Sequence, residues 1–264
     1  MANIPSLMEL LKTGMHFGHQ ESRWHPKMKP FIFGARGGIH IINLEITQEK
    51  LKAALEYVKG VAARGGTVMF VGTKRQAQEI VKREALRAGV PYVSERWLGG
   101  TLTNFPMIHA TIKRYRDLMK RRASGDIAEK YTKKEQLMID REIVEMEERV
   151  GGISELDKLP DAVFILDLKY EKTAYTEAIT KRVPVIALVD SNVNPEDVAW
   201  PIPGNDDAVR AIDMVFRLLA DAVLEGKANP VAPPAPPVRV AVAAPAPIAA
   251  PAPVAAPATD KAVS

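Results

Sequence analysis

The residues with the clearest chemical potential follow an apolar run, residues 67–71, that ends at Gly72. Thr73, Lys74 and Arg75 come next, and two cations beside a tight turn at the start of a helix could bind a phosphate group. A P-loop requires G-x-x-x-x-G-K-[ST] and a dinucleotide loop requires G-x-G-x-x-G, and neither pattern follows Gly72. A capped turn with two basic side chains is the preferred interpretation, and a nucleotide pocket in an enzyme is the alternative.

Two histidines three positions apart, His16 and His19, suggest metal chemistry, because imidazole nitrogens and carboxylates are common zinc ligands. The sequence predicts no cofactor, and the alternative is a structural metal ion near His16, His19, Asp190 and Asp206, if these meet at the carboxyl edge of a sheet. No G-x-S-x-G motif occurs and no nucleophile triad can be assembled, so we expect neither an enzyme nor a small-molecule substrate.

A second chemical pattern, basic and aromatic, fills residues 15–45. Cations interleaved with rings suit a surface that neutralises phosphates and lays apolar rings on sugars or bases. The alternative is that the rings belong to the core and the charges are only solvated. The RNA- or partner-binding candidates in this segment are Arg23, Trp24, Lys27, Lys29 and Arg36.

Length and composition limit the class of protein. The 264 residues suffice for one large α/β domain or two small ones, and the absence of cysteine excludes disulfides and thiolate chemistry. The net charge is only +4, but residues 1–40 hold five Lys or Arg against two Glu, so this part can meet phosphate. We find no signal-peptide pattern and no apolar stretch of 18 residues, and therefore expect a cytoplasmic protein without membrane contact.

The elements that must position these side chains alternate between strand and helix. In the first half we expect a short helix with a capping box at Ser6 and Glu9, and a second helix capped by Thr47. The strand over residues 67–71 then leads into a helix that starts directly after Gly72, capped by Thr73, and stops at a later glycine.

The second half of the chain continues the same alternation. Residues 161–168 and 183–190 read as buried strands and residues 197–204 as an edge strand limited by its prolines. Asn205 is expected to cap a last helix. The sequence thus predicts an α/β fold, a three-layer, doubly wound sheet.

A helical hairpin is predicted to interrupt the sheet over residues 105–150. Apolar residues at alternating steps of three and four indicate two helices in an antiparallel coiled coil. They are Phe105, Ile108, Ile112, Tyr115 and Met119 in the first helix and Ile139, Ile143, Met146 and Val150 in the second. The domains expected are 1–104 with 151–227, 105–150, and an Ala/Pro-rich disordered tail, 228–264.

The charges of this hairpin are segregated by helix. The stretch KRYRDLMKRR has six cations and one acid, and we expect its outer half to face TKKEQ and to remain uncompensated and open to a partner. The alternative is that these charges only solvate and loosely pair the hairpin. The candidates are Lys113, Arg114, Arg116, Lys120, Arg121 and Arg122, joined by Arg96, Trp97 and Asn104 of the glycine-rich connector RWLGGTLTN.

Seven blocks of the sequence, taken together and in this order, resemble those of the bacterial small-subunit ribosomal protein S2 family. The blocks are MHFGH (15–19), WHPKMKPFI (24–32), HIINLE (40–45), FVGTK (70–74), RWLGGTLTN (96–104), LPDAVFILD (159–167) and IPGNDDAVR (202–210). The resemblance spans about residues 3–226.

This resemblance implies a flavodoxin-like domain with a protruding coiled-coil hairpin, and a structural rather than catalytic role in translation. It implies contact with small-subunit ribosomal RNA and neighbouring proteins, and help in recruiting ribosomal protein S1. Through the matching blocks, Lys74 and Arg75 join the basic residues above as candidate RNA or protein contacts. A free-standing coiled-coil adaptor is the remaining alternative.

Overall fold

The computed structural model describes residues 4–230 and contains a parallel sheet at its centre. Five strands form this sheet in the order β5-β4-β6-β7-β8, and every neighbouring pair is parallel. The strands are β4 (Val68–Val71), β5 (Tyr92–Val93), β6 (Ala162–Ile165), β7 (Val185–Val189) and β8 (Trp200–Pro203). All residues of β4, β6 and β7 are buried, as expected for strands covered on both faces.

The strand order defines the type of α/β fold. Counted along the chain, the five parallel strands have the order 2-1-3-4-5, which is the flavodoxin-like arrangement, and the predicted fold class is confirmed. The chain direction across the sheet reverses between β4 and β6. In such sheets ligands bind beyond the carboxyl ends of the strands at this switch point, so the segments after β4 and β6 locate the candidate site.

One face of the sheet is covered by three long helices: α2 (Leu44–Ala63), α3 (Gln78–Ala88) and α8 (Val209–Ala228). Phe164 of β6 packs edge to face on Phe216 of α8, with ring centroids 4.9 Å apart. Removal of these large apolar side chains from water is the main stabilising term for this layer.

The opposite face carries a second core formed by α7 (Lys172–Thr180) and by the helical hairpin. The hairpin consists of α4 (Phe105–Ala123), α5 (Asp126–Lys130) and α6 (Lys133–Val150). Its long helices are antiparallel, because Tyr115 lies beside Gly151 whereas Arg122, further along α4, pairs with Asp140, earlier in α6.

Two details of the hairpin differ from the prediction. The connection between the long helices contains the short helix α5 rather than only a loop. Met119 is 39 % exposed, whereas Leu118 is partly buried against the core, so the inner stripe of α4 ends one position earlier than the spacing indicated. The T-x-x-E spacing of Thr132 and Glu135 predicts a capping box at the start of the second long helix, and the structure confirms it.

The N-terminal segment forms a small antiparallel sheet of its own. It contains α1 (Leu7–Lys12) and the strands β1 (Phe17–Gln20), β2 (Ile32–Arg36) and β3 (Ile39–Ile42), ordered β1-β3-β2. Gly37 and Gly38 join β2 to β3 with φ of 61° and 75°, a conformation that suits glycine in a two-residue hairpin turn. The sequence predicts short strands at FIF (31–33) and IHIIN (39–43) on either side of a glycine turn, and these correspond to β2 and β3; it does not predict β1.

Three predicted helix starts are wrong. α2 begins at Leu44 after the N-cap Asn43, and Thr47 lies inside the helix with its hydroxyl donating to the Pro203 carbonyl oxygen. α3 begins at Gln78, six residues after Gly72, because Thr73 bonds elsewhere. Asn205 accepts hydrogen bonds from two following N–H groups, but α8 starts only at Val209.

The predicted domain boundaries are only partly covered by the described residues. The division into residues 1–104 with 151–227 and residues 105–150 stays a prediction. The predicted tail, 228–264, overlaps the end of α8 by one residue, and its part from 231 onward lies outside the described residues. Among the residues that the structure describes, no helix has the length and apolar character needed to cross a membrane.

Candidate nucleic-acid interface and two buried carboxylate centres

The N-terminal sheet exposes the cations predicted there. Arg23, Lys29 and Arg36 are exposed, and none of them forms an ion pair with another residue of the described range 4–230. Phe33 is part of β2 and is 79 % exposed. Lys27 differs, since its ammonium pairs with the Glu196 carboxylate. We call Arg23, Lys29, Phe33 and Arg36 the basic N-terminal surface.

The aromatic residues of this segment divide between surface and core. Trp24 is half-buried, with its ring 5.2 Å from that of His40. Phe31 packs against the core under the hairpin, whereas Phe33 faces outward. The surface interpretation therefore applies to Phe33, and the core interpretation applies to Phe31.

The turn after β4 is held by a buried carboxylate rather than by a helix cap. Thr73 donates two hydrogen bonds to Glu171 Oε1, from its N–H at 2.7 Å and from its hydroxyl at 2.6 Å. Burial raises the pKa of Glu171, and this outweighs the opposing effect of the Thr73 bonds. The predicted role of Thr73 as a helix cap fails because its side chain is used in this contact.

Lys74 occupies the switch point between β4 and β6. Its Nζ lies 2.7 Å from Asp167, 3.0 Å from Asp206 and 2.9 Å from Asp207, and its side chain is 12 % exposed. Burial alone would lower the pKa of Lys74, but the carboxylates, led by Asp206, raise it above its ordinary value. We call these four residues the Lys74 centre. Its ammonium is directed inward, so this predicted contact residue lies within the protein's own ion pairs.

The three carboxylates of the Lys74 centre do not behave alike. Asp167 is desolvated, yet the bond to Lys74 holds the pKa of this carboxyl below its ordinary value. Burial, with the negative charges of Asp167 and Asp190 nearby, raises the pKa of Asp206 to about 7. One ammonium therefore does not compensate all the acidic groups at this edge of the sheet.

The residues of the predicted metal site are rearranged in the structure. His19 Nδ1 lies 3.0 Å from Asp190 Oδ2, and this bond raises the pKa of His19. His19, Asp206 and Asp207 place one potential ligand atom each within 4.8 Å of one another. His16 is not in that group; its pKa is lowered by burial and its ring lies against Phe17.

A second buried carboxylate, Glu177 of α7, organises the connector 96–104. It accepts hydrogen bonds from the N–H groups of Gly100 (2.7 Å), Leu102 (2.9 Å) and Thr103 (3.1 Å) and from the indole N–H of Trp97 (3.1 Å). Burial alone would raise the pKa of Glu177, but these donors outweigh burial and lower it. We call Glu177 and these donors the Glu177 centre.

The Glu177 centre decides where the connector's predicted contact residues lie. Trp97 is 8 % exposed, with its indole bonded to Glu177, so it packs in the core. Arg96 and Asn104 are exposed at the two ends of the connector. Glu177 was missed in the sequence, because a single glutamate in the helix KTAYTEAIT carries no pattern that distinguishes it from a solvated one.

The expectation of an uncompensated basic tip on the hairpin is wrong for its arginines. Each pairs with an acidic group: Arg114 with Glu142 (2.5 Å), Arg116 with Asp157 (2.9 Å), Arg121 with Asp126 (2.9 Å) and Arg122 with Asp140 (3.2 Å). The prediction paired the outer half of α4 with TKKEQ and overlooked two acids of α6, one of α5 and one after α6. Of the six candidates, Lys113 and Lys120 are exposed without an ion pair in the described part of the chain.

A further basic area lies where α3 meets α8. Arg75, Arg210 and Arg217 are exposed and line one groove. Arg83, in the same groove, pairs with Asp213 of α8 and so contributes less net charge. Arg75 thus faces solvent whereas its neighbour Lys74 faces inward.

These observations define a class of protein. The fold is flavodoxin-like, but its switch point holds several carboxylates, so a phosphate group there would meet like charge. The unpaired cations instead lie on outer surfaces. The class that the fold and the charges define is a flavodoxin-like α/β protein whose unpaired cations face outward.

The family match agrees with that class. The family model for ribosomal protein S2 matches residues 10–226, and the chain belongs to this family. The family is one of structural proteins of the small ribosomal subunit and is not enzymatic, and membership implies association with the ribosome. The resemblance seen in the seven sequence blocks is thereby confirmed.

Proposed function

We propose that this chain binds small-subunit ribosomal RNA directly, through the basic N-terminal surface, as a structural component of the cytoplasmic ribosome. The observation that carries the proposal is the set of three exposed cations, Arg23, Lys29 and Arg36, without acidic partners in the described residues, in the same N-terminal segment as the exposed ring of Phe33. The cations neutralise phosphates and the ring stacks on a sugar or an unpaired base.

Other unpaired cations extend the proposed interface beyond the N-terminal sheet. Arg75, Arg96, Lys113 and Lys120 are exposed on separate elements. Cations spread over a rigid scaffold suit a folded RNA that is recognised by the shape of its backbone rather than by base sequence. The protein would then act as a wedge between RNA segments.

The RNA proposal is tested by removing the three unpaired cations together. In the Arg23→Gln, Lys29→Gln, Arg36→Gln variant we expect weaker binding to small-subunit ribosomal RNA. We also expect a slope of log K against log salt that is shallower by about 2–3, because each lost phosphate contact removes about 0.7–0.9 from the slope. Filter binding at several salt concentrations measures both quantities.

A matched control removes three cations that are already paired. Arg83, Arg87 and Arg114 each bond an acidic group, so their replacement by Gln changes the net charge equally but exposes acids rather than removing free cations. Melting curves of both variants verify folding. Equal loss of affinity and slope in the two variants would show that only net charge matters and would reject the assigned surface.

We further propose that the hairpin contacts neighbouring small-subunit proteins and helps to recruit ribosomal protein S1, as the family resemblance implies. The hairpin supports this role by exposing apolar side chains, with Met107 67 %, Leu137 52 % and Met138 62 % exposed. Replacing Leu137 and Met138 by Ser should lower the S1 content of sedimented small subunits at unchanged incorporation of this chain. Unchanged S1 content would assign recruitment to another surface.

A further inference from the structure

A surface groove beside β5, the edge strand of the parallel sheet, contains none of the residues assigned to RNA or S1 contact. It consists of two joined cavities of about 420 and 660 Å³, which share the lining residues Leu86, Tyr92, Gly151 and Gly152. A Cβ atom on Gly152 would overlap the Tyr92 carbonyl oxygen, so glycine allows the chain after α6 to pass close to the edge strand. We call these two cavities the β5 groove.

The β5 groove exposes apolar surface from two helices. Leu86 of α3 is 63 % exposed and Val144 of α6 is 52 % exposed, and both line the same cavity. The rings of Tyr92 and Tyr115 line this cavity as well. Apolar and aromatic side chains in an open groove are typical of sites that bind a peptide segment.

The unpaired charges of the β5 groove are mostly acidic. Glu147 and Glu148 of α6 and Glu155 after it are exposed and form no ion pair within the described range 4–230. Lys82 is the one lining cation without an ion pair in that range, because the other two pair with acids outside the lining. The groove therefore carries a net negative charge on a chain whose overall charge is positive.

These features specify the chemistry of a partner. The unpaired carboxylates would repel the phosphates of RNA, whereas Lys and Arg side chains would neutralise these carboxylates. Burial raises the pKa of Tyr92 and of Tyr115, and the negative charge of Glu147 nearby adds to the rise for both phenols. A cation bound beside Glu147 would thus also lie near aromatic rings, which attract cations.

We propose that the β5 groove binds an extended segment, rich in Lys and Arg, of a neighbouring protein of the small ribosomal subunit. The cations of this segment pair with the unpaired glutamates, and apolar side chains between them pack against Leu86 and Val144. Proteins that bind RNA phosphates are rich in Lys and Arg, so such segments are available in a ribosomal particle. The proposal uses the ribosome association of the family and not the basic N-terminal surface.

The first test measures peptide binding to the full chain by fluorescence anisotropy. The probe is a labelled extended peptide of alternating Lys and Val, about eight residues long, and a matched peptide has Glu in place of every Lys. We expect the chain to bind the Lys peptide and not the Glu peptide. Replacing Glu147, Glu148 and Glu155 together by Gln should weaken binding of the Lys peptide about tenfold.

A matched control removes three exposed glutamates outside the β5 groove. Glu49, Glu56 and Glu129 are exposed and do not line it, so their replacement by Gln changes the net charge equally and should leave peptide binding unchanged. Leu86→Ser should weaken binding without a change of charge, and melting curves verify that each variant folds. Equal weakening by the two triple variants, or equal binding of the Lys and Glu peptides, would overturn the proposal.

The second test identifies the occupant in the ribosome. The photoreactive residue p-benzoylphenylalanine replaces Leu86, small subunits that contain this chain are irradiated, and mass spectrometry identifies the crosslinked segment. We expect a segment of another small-subunit protein with an excess of Lys and Arg. Crosslinks only to RNA, only to a second copy of this chain or only to segments without that excess, or no crosslink at all, would overturn the proposal.

The result is separable from that of the proposed RNA contact. The Arg23→Gln, Lys29→Gln, Arg36→Gln variant changes no residue that lines the β5 groove and should retain binding of the Lys peptide. The triple exchange of Glu147, Glu148 and Glu155 should conversely retain the salt dependence of RNA binding. Either proposal can therefore fail while the other stands.

Discussion

The Glu177 centre and the Lys74 centre are both built from buried carboxylates, yet their bonding differs. Glu177 is surrounded by donors: three backbone N–H groups, an indole N–H and the Thr103 hydroxyl. The Lys74 centre has too few donors, because one ammonium pairs with three carboxylates and Asp206 Oδ2 forms no hydrogen bond within the described residues. The donors of the first centre satisfy its carboxylate, whereas the second has more acceptor oxygens than donors among the described residues.

This difference shows how to separate a structural carboxylate from a ligand site. Both centres lie close to the carboxyl edge of the sheet, where flavodoxin-like proteins bind ligands, so location alone does not distinguish them. The pKa directions do: donors lower the pKa of Glu177, while burial and like charges raise that of Asp206. A full set of donors favours the ionised carboxylate, whereas burial beside like charges disfavours it.

The largest effect should come from removing the only ammonium of the Lys74 centre. Lys74→Met leaves three carboxylates without it, and we expect the free energy of unfolding to fall by about 3 kcal/mol in EDTA, measured by urea denaturation. Adding Asp206→Asn should restore part of the loss, since it removes one of the repelling charges.

A surface pair provides the control for that experiment. Lys27 and Glu196 are 45 % and 57 % exposed, so Lys27→Met should cost less than about 1 kcal/mol. If Lys74→Met lowered the free energy of unfolding no more than Lys27→Met, the carboxylates at the switch point would not depend on the ammonium. The contrast between the two centres would then disappear.

Much of the fold could be predicted from sequence because it follows from local patterns. Unalternating apolar runs gave β4, β6 and β7, and glycine and proline positions gave the turns and the edge strand. The helix starts failed where a side chain had a tertiary partner. Thr73 and Thr47 fit capping patterns, but Glu171 and the Pro203 carbonyl oxygen, 98 and 156 residues away, bind their hydroxyls.

The site was less predictable, since its contacts join distant parts of the chain. Lys74 was identified as basic, but no spacing reveals that Asp167 and Asp206 surround it. Glu177 gave no signal, because only the folded connector brings its donors together. The hairpin arginines show the same limit. Their segregation from the acids was predicted correctly, but their pairing with acids of α5, of α6 and of the segment after α6 was not.

The second-largest effect should come from replacing one carboxylate by an amide in each centre. We expect the free energy of unfolding to change with opposite sign in the two centres. Glu177→Gln places an NH₂ group among N–H donors, and we expect a loss of about 2 kcal/mol. Asp206→Asn keeps an oxygen for Lys74 and removes a like charge, so in EDTA we expect a gain of about 1 kcal/mol. Changes of equal sign, measured by urea denaturation, would reject the distinction between the centres.

The smallest effect should be a dependence of the Glu177 contribution on pH. The pKa of Glu177 is lower in the folded chain than its ordinary value of 4.5, so the unfolded chain binds a proton first as the pH falls. The stabilisation is therefore complete above about pH 4.5 and is lost as the pH falls through the folded pKa. The difference in unfolding free energy between wild type and Glu177→Gln should stay constant from about pH 6 to about pH 4.5 and should narrow from there to about pH 3.

The exposed Glu148 separates this effect from general acid denaturation. Glu148→Gln removes the same charge from a solvated position on α6, so its difference from wild type should stay small across that range. The Gln side chain of Glu177→Gln cannot take up a proton, so the narrowing reports the ionised carboxylate itself. A difference in unfolding free energy between wild type and Glu177→Gln that stayed constant down to pH 3 would contradict this prediction. It would mean that the donors hold the connector equally well around a neutral side chain and that the charge of Glu177 does not stabilise the Glu177 centre.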